Sequence, residues 1–471
     1  MTGLPDSHPR RRALVSRREA VGGVVGVGLA VGAGGQWYRS RHVSAPLNSS
    51  VVAIDANGER FAVLPTDPPV TLLPGSRVAA TSAPSSLRLA EKQRTWVASG
   101  RIPGPAAYRE MASTALLDIH TLLLANGAAV AAWAPHWRYV WPRDAAMVAV
   151  ALARTGHRQD ALSVLQFLQR SLGAGGIFQA RYRPDGSGPP DDRGEQSDGI
   201  GWALWASATL VDDLPPQERA DVVADLGPLI RSCTGAALRL TEAPDAMPPA
   251  SPDYWEVRDE RLSLGTAAPM AFALEAASAL ATTAQDPELA GTTADRAARL
   301  RSSIREQFGR DAYPRYLGDD QPDAAVAFLL PPFTKTAAPD VLAAWARAGD
   351  AMKRPAGGLA PGAGWKEDGI SWTPQTALFA LTAAATSDPA ARGSAATAGP
   401  ATRGSAATAT SGPAASGGVA SARARLDWIS DHRTPYGAIP EKVLHNGEPA
   451  GPAPLAWSAA LVLLTLDALE T

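Results

Sequence analysis

From Pro105 to its end, this chain is a long succession of segments with helical periodicity. Apolar residues recur there at intervals of three and four in about twelve stretches, which is the spacing that buries one face of a helix. The loops between the stretches carry most of the Gly, Pro and Trp. Because the stretches share no sequence repeat, a solenoid is disfavoured, and their even number predicts helical hairpins arranged in a closed ring.

The predicted helices cover residues 106–124, 144–155, 158–172, 198–211, 216–233, 266–283, 294–308, 324–330, 339–348, 374–385, 419–430 and 454–469. The preceding segment, 41–103, is Pro-rich, and we expect it to be irregular apart from one β-hairpin. Two short apolar runs, 51–54 and 60–64, flank an Asn57-Gly58 turn there. The predicted fold is therefore an all-α ring of helical hairpins, residues 104–471, with a small β-hairpin appendage before it.

Two other segments have a composition unlike that of a folded core. Residues 386–418 are almost entirely Ala, Thr, Ser, Gly, Pro and Arg and contain RGSAATA twice, so we expect a disordered surface insertion. Residues 1–40 place five arginines before the uncharged stretch 20–35, which is typical of an export signal. The Arg17-Arg18 pair suggests the twin-arginine route, and a disordered basic tail or an uncleaved anchor remain the alternatives.

Charge and cysteine content exclude several classes of protein. The 44 Lys+Arg and 46 Asp+Glu nearly cancel, so there is no broad basic surface for nucleic acid. The single cysteine, Cys233, excludes an internal disulfide framework and a Cys-based metal site. The 13 Trp outnumber the 8 Tyr and the 8 Phe, and indole rings suit both a protein core and stacking on sugar rings.

The first segment with chemical potential is 136–156, where a Trp- and Tyr-rich loop ends at Arg143 and Asp144 just before an apolar helix. Asp144 could cap that helix. With Arg143 and the ring of Trp141, it could equally bind the hydroxyls of a sugar. In the second segment, 175–206, Gln196 follows a long loop, and Asp198 shares a helical face with two tryptophans.

Two further loops each present a glutamate. Glu256 follows Tyr254 and Trp255, which would partly desolvate it and keep it protonated, as a general acid requires; a pair with Arg258 or Arg261 is the alternative. Glu441 has Lys442 beside it, which could neutralise it or hold it ionised as a general base.

Three tryptophans lie near these loops: Trp365 and Trp372 in a Gly-rich loop, and Trp457 on the last helix. A metal site is disfavoured, because Pro322 interrupts the Asp319-Asp320-x-x-Asp323 pattern and the seven His form no H-x-x-x-H pair.

Taken in order, these segments resemble glycoside hydrolase family 15, the glucoamylase-like enzymes. YVWPRDAA at 139–146 is similar to the family's Trp-x-Arg-Asp loop, and GEQSDGIGWALW at 194–205 to its Gln-x-Asp-Gly segment. DYWE at 253–256 resembles the family's acid motif. AIPEKV and PLAWS, both within 438–458, resemble its base motif and closing helix. Each motif is short, but four in the right order, each before a helix, are specific.

The resemblance implies an (α/α)6 barrel and an exo-acting, inverting hydrolase that releases a monosaccharide from the non-reducing end of an α-glycoside without metal or cofactor. Glu256 would be the general acid and Glu441 the general base. The implied sugar-binding residues are Trp141, Arg143, Asp144, Gln196, Asp198, Trp255, Trp365 and Trp457. The implied partner is an oligo- or polysaccharide, with membrane contact only through the N-terminal segment.

The chain departs from the family in two places. Val257 stands where the family has a second carboxylate, and one hairpin replaces the large N-terminal β-sandwich of many bacterial members. Both departures place the usual starch substrate in doubt. Transfer to another acceptor, phosphorolysis, and a non-catalytic carbohydrate-binding or envelope-associated toroid are the competing hypotheses.

Overall fold

The computed structural model describes residues 46–387 and 413–470, so the predicted export segment and most of the predicted insertion lie outside the described residues. This part of the chain contains thirteen α-helices. They are α1 Pro84–Ala98, α2 Arg109–Leu122, α3 Pro142–Arg154, α4 Arg158–Ser171, α5 Asp198–Asp212, α6 Pro216–Asp225, α7 Gly227–Leu240, α8 Leu264–Thr283, α9 Pro287–Gln307, α10 Pro339–Ala351, α11 Thr373–Ala385, α12 Pro413–Asp431 and α13 Ala456–Ala468.

Six elements form an inner ring, in which each packs against the next and the last packs against the first. They are α3, α5, α8, the 3₁₀-helix Ala324–Leu329, α11 and α13. Helices α2, α4, α7, α9, α10 and α12 alternate with them along the chain and form the outer layer. The fold is an (α/α)6 barrel, as the sequence predicted.

The inner helices are apolar on all sides because they are covered on all sides. Every residue of α3 from Pro142 to Ala153 is buried, and so is every residue of α13 from Ala456 to Asp467. Helix α8 is long and apolar enough to cross a membrane, but 83% of its most apolar window is buried inside the protein. Its composition is explained by its place in the ring.

The observed helices differ from the predicted ones at several places, and the predicted helix 324–330 is a 3₁₀-helix, Ala324–Leu329. Residues 216–233 form parts of two helices, α6 and α7, which are separated at Leu226. Helix α9 begins at Pro287 rather than 294, because Asp286 caps it by accepting from the Leu289 N–H at 3.0 Å. Helix α12 begins at Pro413, inside the predicted insertion, and helix α1 lies in the segment expected to be irregular.

The predicted hairpin is present, and it is fastened to the barrel. Strands β1, Val51–Ile54, and β2, Arg60–Val63, pair antiparallel. Arg60 Nη2 donates to the Leu123 carbonyl at 2.9 Å, and Trp133 Nε1 donates to the Arg60 carbonyl at 3.1 Å. Asn48 N–H also donates to the Gly451 carbonyl at 2.8 Å. The predicted hairpin is therefore an appendage that hydrogen bonds tie to the barrel.

Short strands precede three inner helices at the end of the barrel where those helices begin. Strands β3, Phe178–Gln179, and β4, Glu195–Gln196, pair ahead of α5. Strands β5, Ser371–Trp372, β6, Lys442–Val443, and β7, Pro449–Ala450, form a second sheet ahead of α11 and α13. Both sheets fix the loops that surround the amino-terminal mouth of the ring.

A second cavity, of about 480 Å³, opens at the opposite end of the barrel. The carboxyl-terminal parts of α3, α5, α8, α11 and α13 line it, together with the segment Pro331–Lys335. Buried aromatic rings separate it from the amino-terminal mouth. Trp202 lies at the centre of this group, with ring centroids 5.0 Å from Phe272 and 4.9 Å from Phe328.

Candidate active site

The amino-terminal mouth of the inner ring encloses a cavity of about 440 Å³. This volume lies in the range of about 300–1,000 Å³ that is typical of small-ligand sites. Glu256 and Glu441, which are 185 positions apart in the sequence, both line it. The ring of helices thus brings the two predicted carboxyls into one cavity.

Glu256 is held by a strained loop between α7 and α8. Its φ of 54° lies in the left-handed region, which is unfavourable for a residue with a side chain. The loop is fixed by the buried Asp253, which accepts hydrogen bonds from the Ser263 hydroxyl at 2.7 Å and from Arg315 Nη2 at 2.9 Å. The Asp253 carbonyl accepts from the Glu256 N–H at 2.8 Å. The backbone conformation of Glu256 is therefore imposed by a buried polar network.

Two opposing effects act on the Glu256 carboxyl. Burial raises its pKa above the ordinary value, because the ionised form loses its hydration. Arg143, Arg193 and Arg181 act in the opposite direction. Arg193 Nη1 pairs with Oε2, and Arg143 Nη2 lies 3.9 Å from Oε1. The effect of burial is the larger one, so the Glu256 carboxyl is easier to protonate than a free glutamate. The arginines that pair with Glu256 are thus Arg193 and Arg143, and not Arg258 or Arg261 as the sequence also allowed.

Glu441 lies just before β6 and is held at both carboxylate oxygens. Trp137 Nε1 donates to Oε1 at 3.1 Å, and Lys442 Nζ lies 2.9 Å from Oε2. The backbone is tied as well, because Glu441 N–H donates to the Pro452 carbonyl at 2.9 Å. The carboxylate is only 8% exposed, so its orientation is fixed by its neighbours rather than by solvent.

Arg143 and Asp144 form the buried floor of the cavity. Helix α3 begins at Pro142, with Trp141 at the cap position, so Asp144 lies inside the first turn and is not the cap. Its Oδ2 instead lies 3.0 Å from Arg143 Nη2, and the Arg143 guanidinium lies 4.4 Å from the ring centroid of Trp457. Burial raises the pKa of Asp144 to about 6, against the effect of Arg143.

Tryptophan rings form a large part of the cavity wall. Six of the 13 tryptophans of the chain line it, namely Trp137, Trp141, Trp255, Trp365, Trp372 and Trp457. Trp365 is packed edge to face against Trp255 at 4.7 Å and against Trp372 at 5.8 Å between centroids. Flat apolar faces next to charged groups suit a ligand with both C–H and hydroxyl surfaces, such as a sugar.

Gln196 and Asp198 lie behind the cavity rather than on its surface. Gln196 Nε2 donates to the Asp253 carbonyl at 3.0 Å and so supports the loop of Glu256. Asp198 accepts from Trp202 Nε1 at 3.2 Å, and burial raises its pKa to about 7. Trp202, which shares a helical face with Asp198, belongs to the core. Both polar residues thus support the site from below, out of reach of a ligand in the cavity.

The cavity residues that were absent from the predicted set include Trp137, Arg181, Arg193, Lys366 and Trp372. Trp137 and Trp372 belong to loops already singled out, so their aromatic character was the available signal. Arg181 and Arg193 lie in the long loop before α5, and no local pattern ties either of them to Glu256.

The Asp319-Asp320-x-x-Asp323 pattern does not form a metal site. Asp323 is fully buried, where it accepts from the Tyr254 hydroxyl and lies 3.5 Å from Arg315 Nη1. None of the three aspartates lines the cavity. Within residues 46–387 and 413–470, no cluster of three His, Cys, Asp or Glu side chains is arranged to hold a metal ion.

No family model and no curated protein matches this chain. Solved structures do. A wild-type glycosidase aligns over 77% of this chain and 96% of its own, with a TM-score of 0.61 at 20% identity. This chain has the glucoamylase fold. A bacterial glucoamylase in complex with acarbose aligns at a TM-score of 0.64 and 15% identity, covering 83% of this chain and 60% of that one.

A third structure with the glucoamylase fold, the glucoamylase from Saccharomycopsis fibuligera, aligns at a TM-score of 0.55 and 16% identity. It covers 73% of this chain and 89% of its own. At such identities the similarity establishes the fold, whereas the residues of the cavity determine the chemistry.

Proposed function

We propose that this chain is an exo-acting, inverting glycoside hydrolase that acts on an α-glycoside. The observation that carries the proposal is the meeting of Glu256 and Glu441 on one Trp-lined cavity. Solved structures of the same fold support a sugar as the ligand, since one is a glycosidase variant in complex with glucose and another a glucoamylase with acarbose.

In this proposal Glu256 protonates the glycosidic oxygen, and its raised pKa suits that role. Glu441, held by Trp137 and Lys442, removes a proton from the water that attacks the anomeric carbon from the opposite face. Inversion requires about 6.5–9.5 Å between the two carboxyls, so that the water fits between Glu441 and the sugar. The transition state resembles an oxocarbenium ion and needs no covalent intermediate.

The floor of the cavity supports the proposed exo mode. Arg143, Asp144 and Trp457 are all less than 10% exposed, and they end the cavity on the side away from solvent. A terminal sugar can place its hydroxyls against Arg143 and Asp144, whereas an internal sugar would need an exit through them. We therefore assign the floor to the sugar that is released.

The decisive experiment is hydrolysis of a panel of α-linked disaccharides and glucans, with the anomer of the first product followed by NMR. We expect a product of β configuration. A product that retains the α configuration would contradict the assignment of Glu441 as base, and binding without turnover of any glycoside would favour the carbohydrate-binding toroid.

The two carboxyl roles can be separated with a substrate whose leaving group needs no proton. We expect Glu256→Gln to lower kcat on a disaccharide by about 10²–10⁴-fold and to retain activity on the corresponding α-glycosyl fluoride. Glu441→Gln should fail on both substrates, because the attacking water still needs a base. Glu260→Gln, an exposed change on the same loop as Glu256, is the matched control.

The export proposal for residues 1–40 is tested separately. We propose that Arg17 and Arg18 address the chain to the twin-arginine route, so replacing both with Lys should retain the protein in the cytoplasm. Immunoblotting of cell fractions measures this, and unchanged export of the double variant would contradict it.

A further inference from the structure

The cations of the cavity divide into a set with matched partners, whose side chains are at most 18% exposed, and a more exposed pair at its entrance. In the matched set, Arg143 pairs with Asp144 at 3.0 Å, and Lys442 pairs with Glu441 at 2.9 Å. Arg181 pairs with Asp191. These cations are already neutralised by the protein.

The entrance pair, Arg193 and Lys366, is different. Arg193 has a side chain that is 39% exposed, and its partners are Glu256 and Asp191, which already pairs with Arg181. Lys366 is exposed, lies 5.4 Å from the ring centroid of Trp365, and forms no salt bridge with any residue of the described part of the chain. Val257, which follows Glu256, adds no negative charge there.

The proposed reaction makes this imbalance larger. A general acid has to be protonated before it can act, and a neutral Glu256 no longer compensates Arg193. Arg181 and Arg193 then share the single carboxylate of Asp191. A second anion at the entrance would compensate the positive charge of Arg193. It would also draw Arg193 away from Glu256, and the loss of this cation would favour the protonated form of Glu256.

Because Glu256 donates its proton to the glycosidic oxygen, the leaving group lies next to Glu256, on the side of Arg193 and away from the buried Arg143 floor. We propose that the substrate is an α-glycoside whose leaving group carries an anionic group, a carboxylate or a phosphate ester, bound by Arg193 and Lys366. The proposal rests on the function proposed above and specifies the substrate class of the same site.

The test compares maltobionate with maltitol, two α-1,4-glucosides with open-chain leaving groups that differ in one carboxylate, together with isomaltobionate and isomaltitol for the α-1,6 linkage. We expect kcat/KM to be about tenfold or more higher for the acid of each pair, as for a charge-assisted hydrogen bond. Raising NaCl to about 0.5 M should reduce this ratio. Equal kcat/KM values would overturn the proposal and leave the hydrolase function intact.

Variants locate the effect. Arg193→Gln and Lys366→Gln should each reduce the acid-to-alditol ratio, mainly through KM, and Arg193→Lys should retain part of it. Arg258→Gln removes the same charge two residues from Glu256, at an exposed position outside the cavity, and should leave the ratio unchanged. An unchanged ratio in both entrance variants would overturn the proposal.

If none of the four compounds is hydrolysed, calorimetric titration of maltobionate and maltitol into the intact protein still tests the anion site. Tighter binding of maltobionate that is lost in Arg193→Gln would support it and would place the failure in the proposed function. Equal or absent binding of both compounds would overturn it.

Discussion

At the scale of single residues, the two glutamates of the cavity differ in what surrounds them. Glu256 is partly buried beside arginines that oppose its protonation, whereas Glu441 is fixed by one indole and one ammonium group. Such a difference is what separates an acid from a base in one site. The surroundings of Glu256 also make the alkaline limb of the rate profile predictable.

The alkaline limb of kcat/KM should report the protonation of Glu256. The acid is active only when protonated, so the rate falls as pH rises through its pKa. Arg143, Arg181 and Arg193 lower this pKa, while Asp144 and Asp198 face the same group with the opposite effect. With a neutral substrate, Arg193→Gln should therefore move the alkaline limb to higher pH. A shift to lower pH would contradict the assignment, and Arg258→Gln should cause none.

Asp198 should make the free energy of unfolding decrease as the pH rises from about 4 to about 7. Its pKa is raised to about 7 by burial, whereas in the unfolded chain it is about 4, so the folded state holds the proton more tightly. The stabilisation is present below about pH 4 and is lost as pH rises toward 7. Asp198→Asn should remove this contribution, and a free energy of unfolding with the same pH dependence as the wild type would contradict it.

At the scale of elements, the β6–β7 hairpin controls the position of Glu441. Gly451 follows β7 with a φ of 71°, and a Cβ placed there would lie 2.8 Å from Glu441 Oε2. The hairpin thus depends on a residue without a side chain at this point. The tight approach explains why the carboxylate has little freedom even before a ligand binds.

We expect Gly451→Ala to lower kcat by displacing Glu441, beyond the cost of about 1–2 kcal/mol that an alanine incurs in left-handed backbone. Gly447→Ala is the matched control, since Gly447 has a φ of 89° and its nearest neighbour, His432, would be 3.4 Å from the new Cβ. Both should lower the melting temperature, and only the first should lower kcat. An equal loss of kcat in both would contradict the assignment.

The spacing of apolar residues predicted most helices, because a helix that buries one face shows this spacing in its own sequence. It did not predict the helix boundaries that depend on other residues, such as the Asp286 cap of α9. The polar composition of 84–98 and the low complexity before Val419 concealed α1 and the start of α12. Glu256 and Glu441 were predicted from short motifs, in which Trp255 precedes the first glutamate and Lys442 follows the second. The contact of Arg193 with Glu256 spans 63 positions, and only the closed ring brings these residues together.

At the scale of the whole molecule, the inner ring is uneven in height. Its fourth element, Ala324–Leu329, is a 3₁₀-helix of 6 residues and rises about 12 Å, whereas an inner helix of 13 residues such as α3 rises about 20 Å. The segment Pro331–Lys335 that follows lines the far cavity. The far cavity therefore lies beyond the end of this short member of the ring.

The aromatic layer between the two cavities should carry much of the stability. Phe328 is 1% exposed and packs against Trp202 and Tyr254. Phe328→Ala should reduce the free energy of unfolding by about 3–5 kcal/mol, measured by urea denaturation. Leu87→Ala, at a position that is 58% exposed, should change it by less than about 0.5 kcal/mol. A small effect at Phe328 would mean that the layer is dispensable.

The far cavity is also a place where the protein can be stabilised by substitution. Ala276 and Ala279 face the far cavity from α8, on the opposite side of the aromatic layer from every side chain assigned to turnover. Larger apolar side chains at these two positions would fill empty volume and should raise the melting temperature of the protein, while the kinetics of the proposed reaction stay those of the parent.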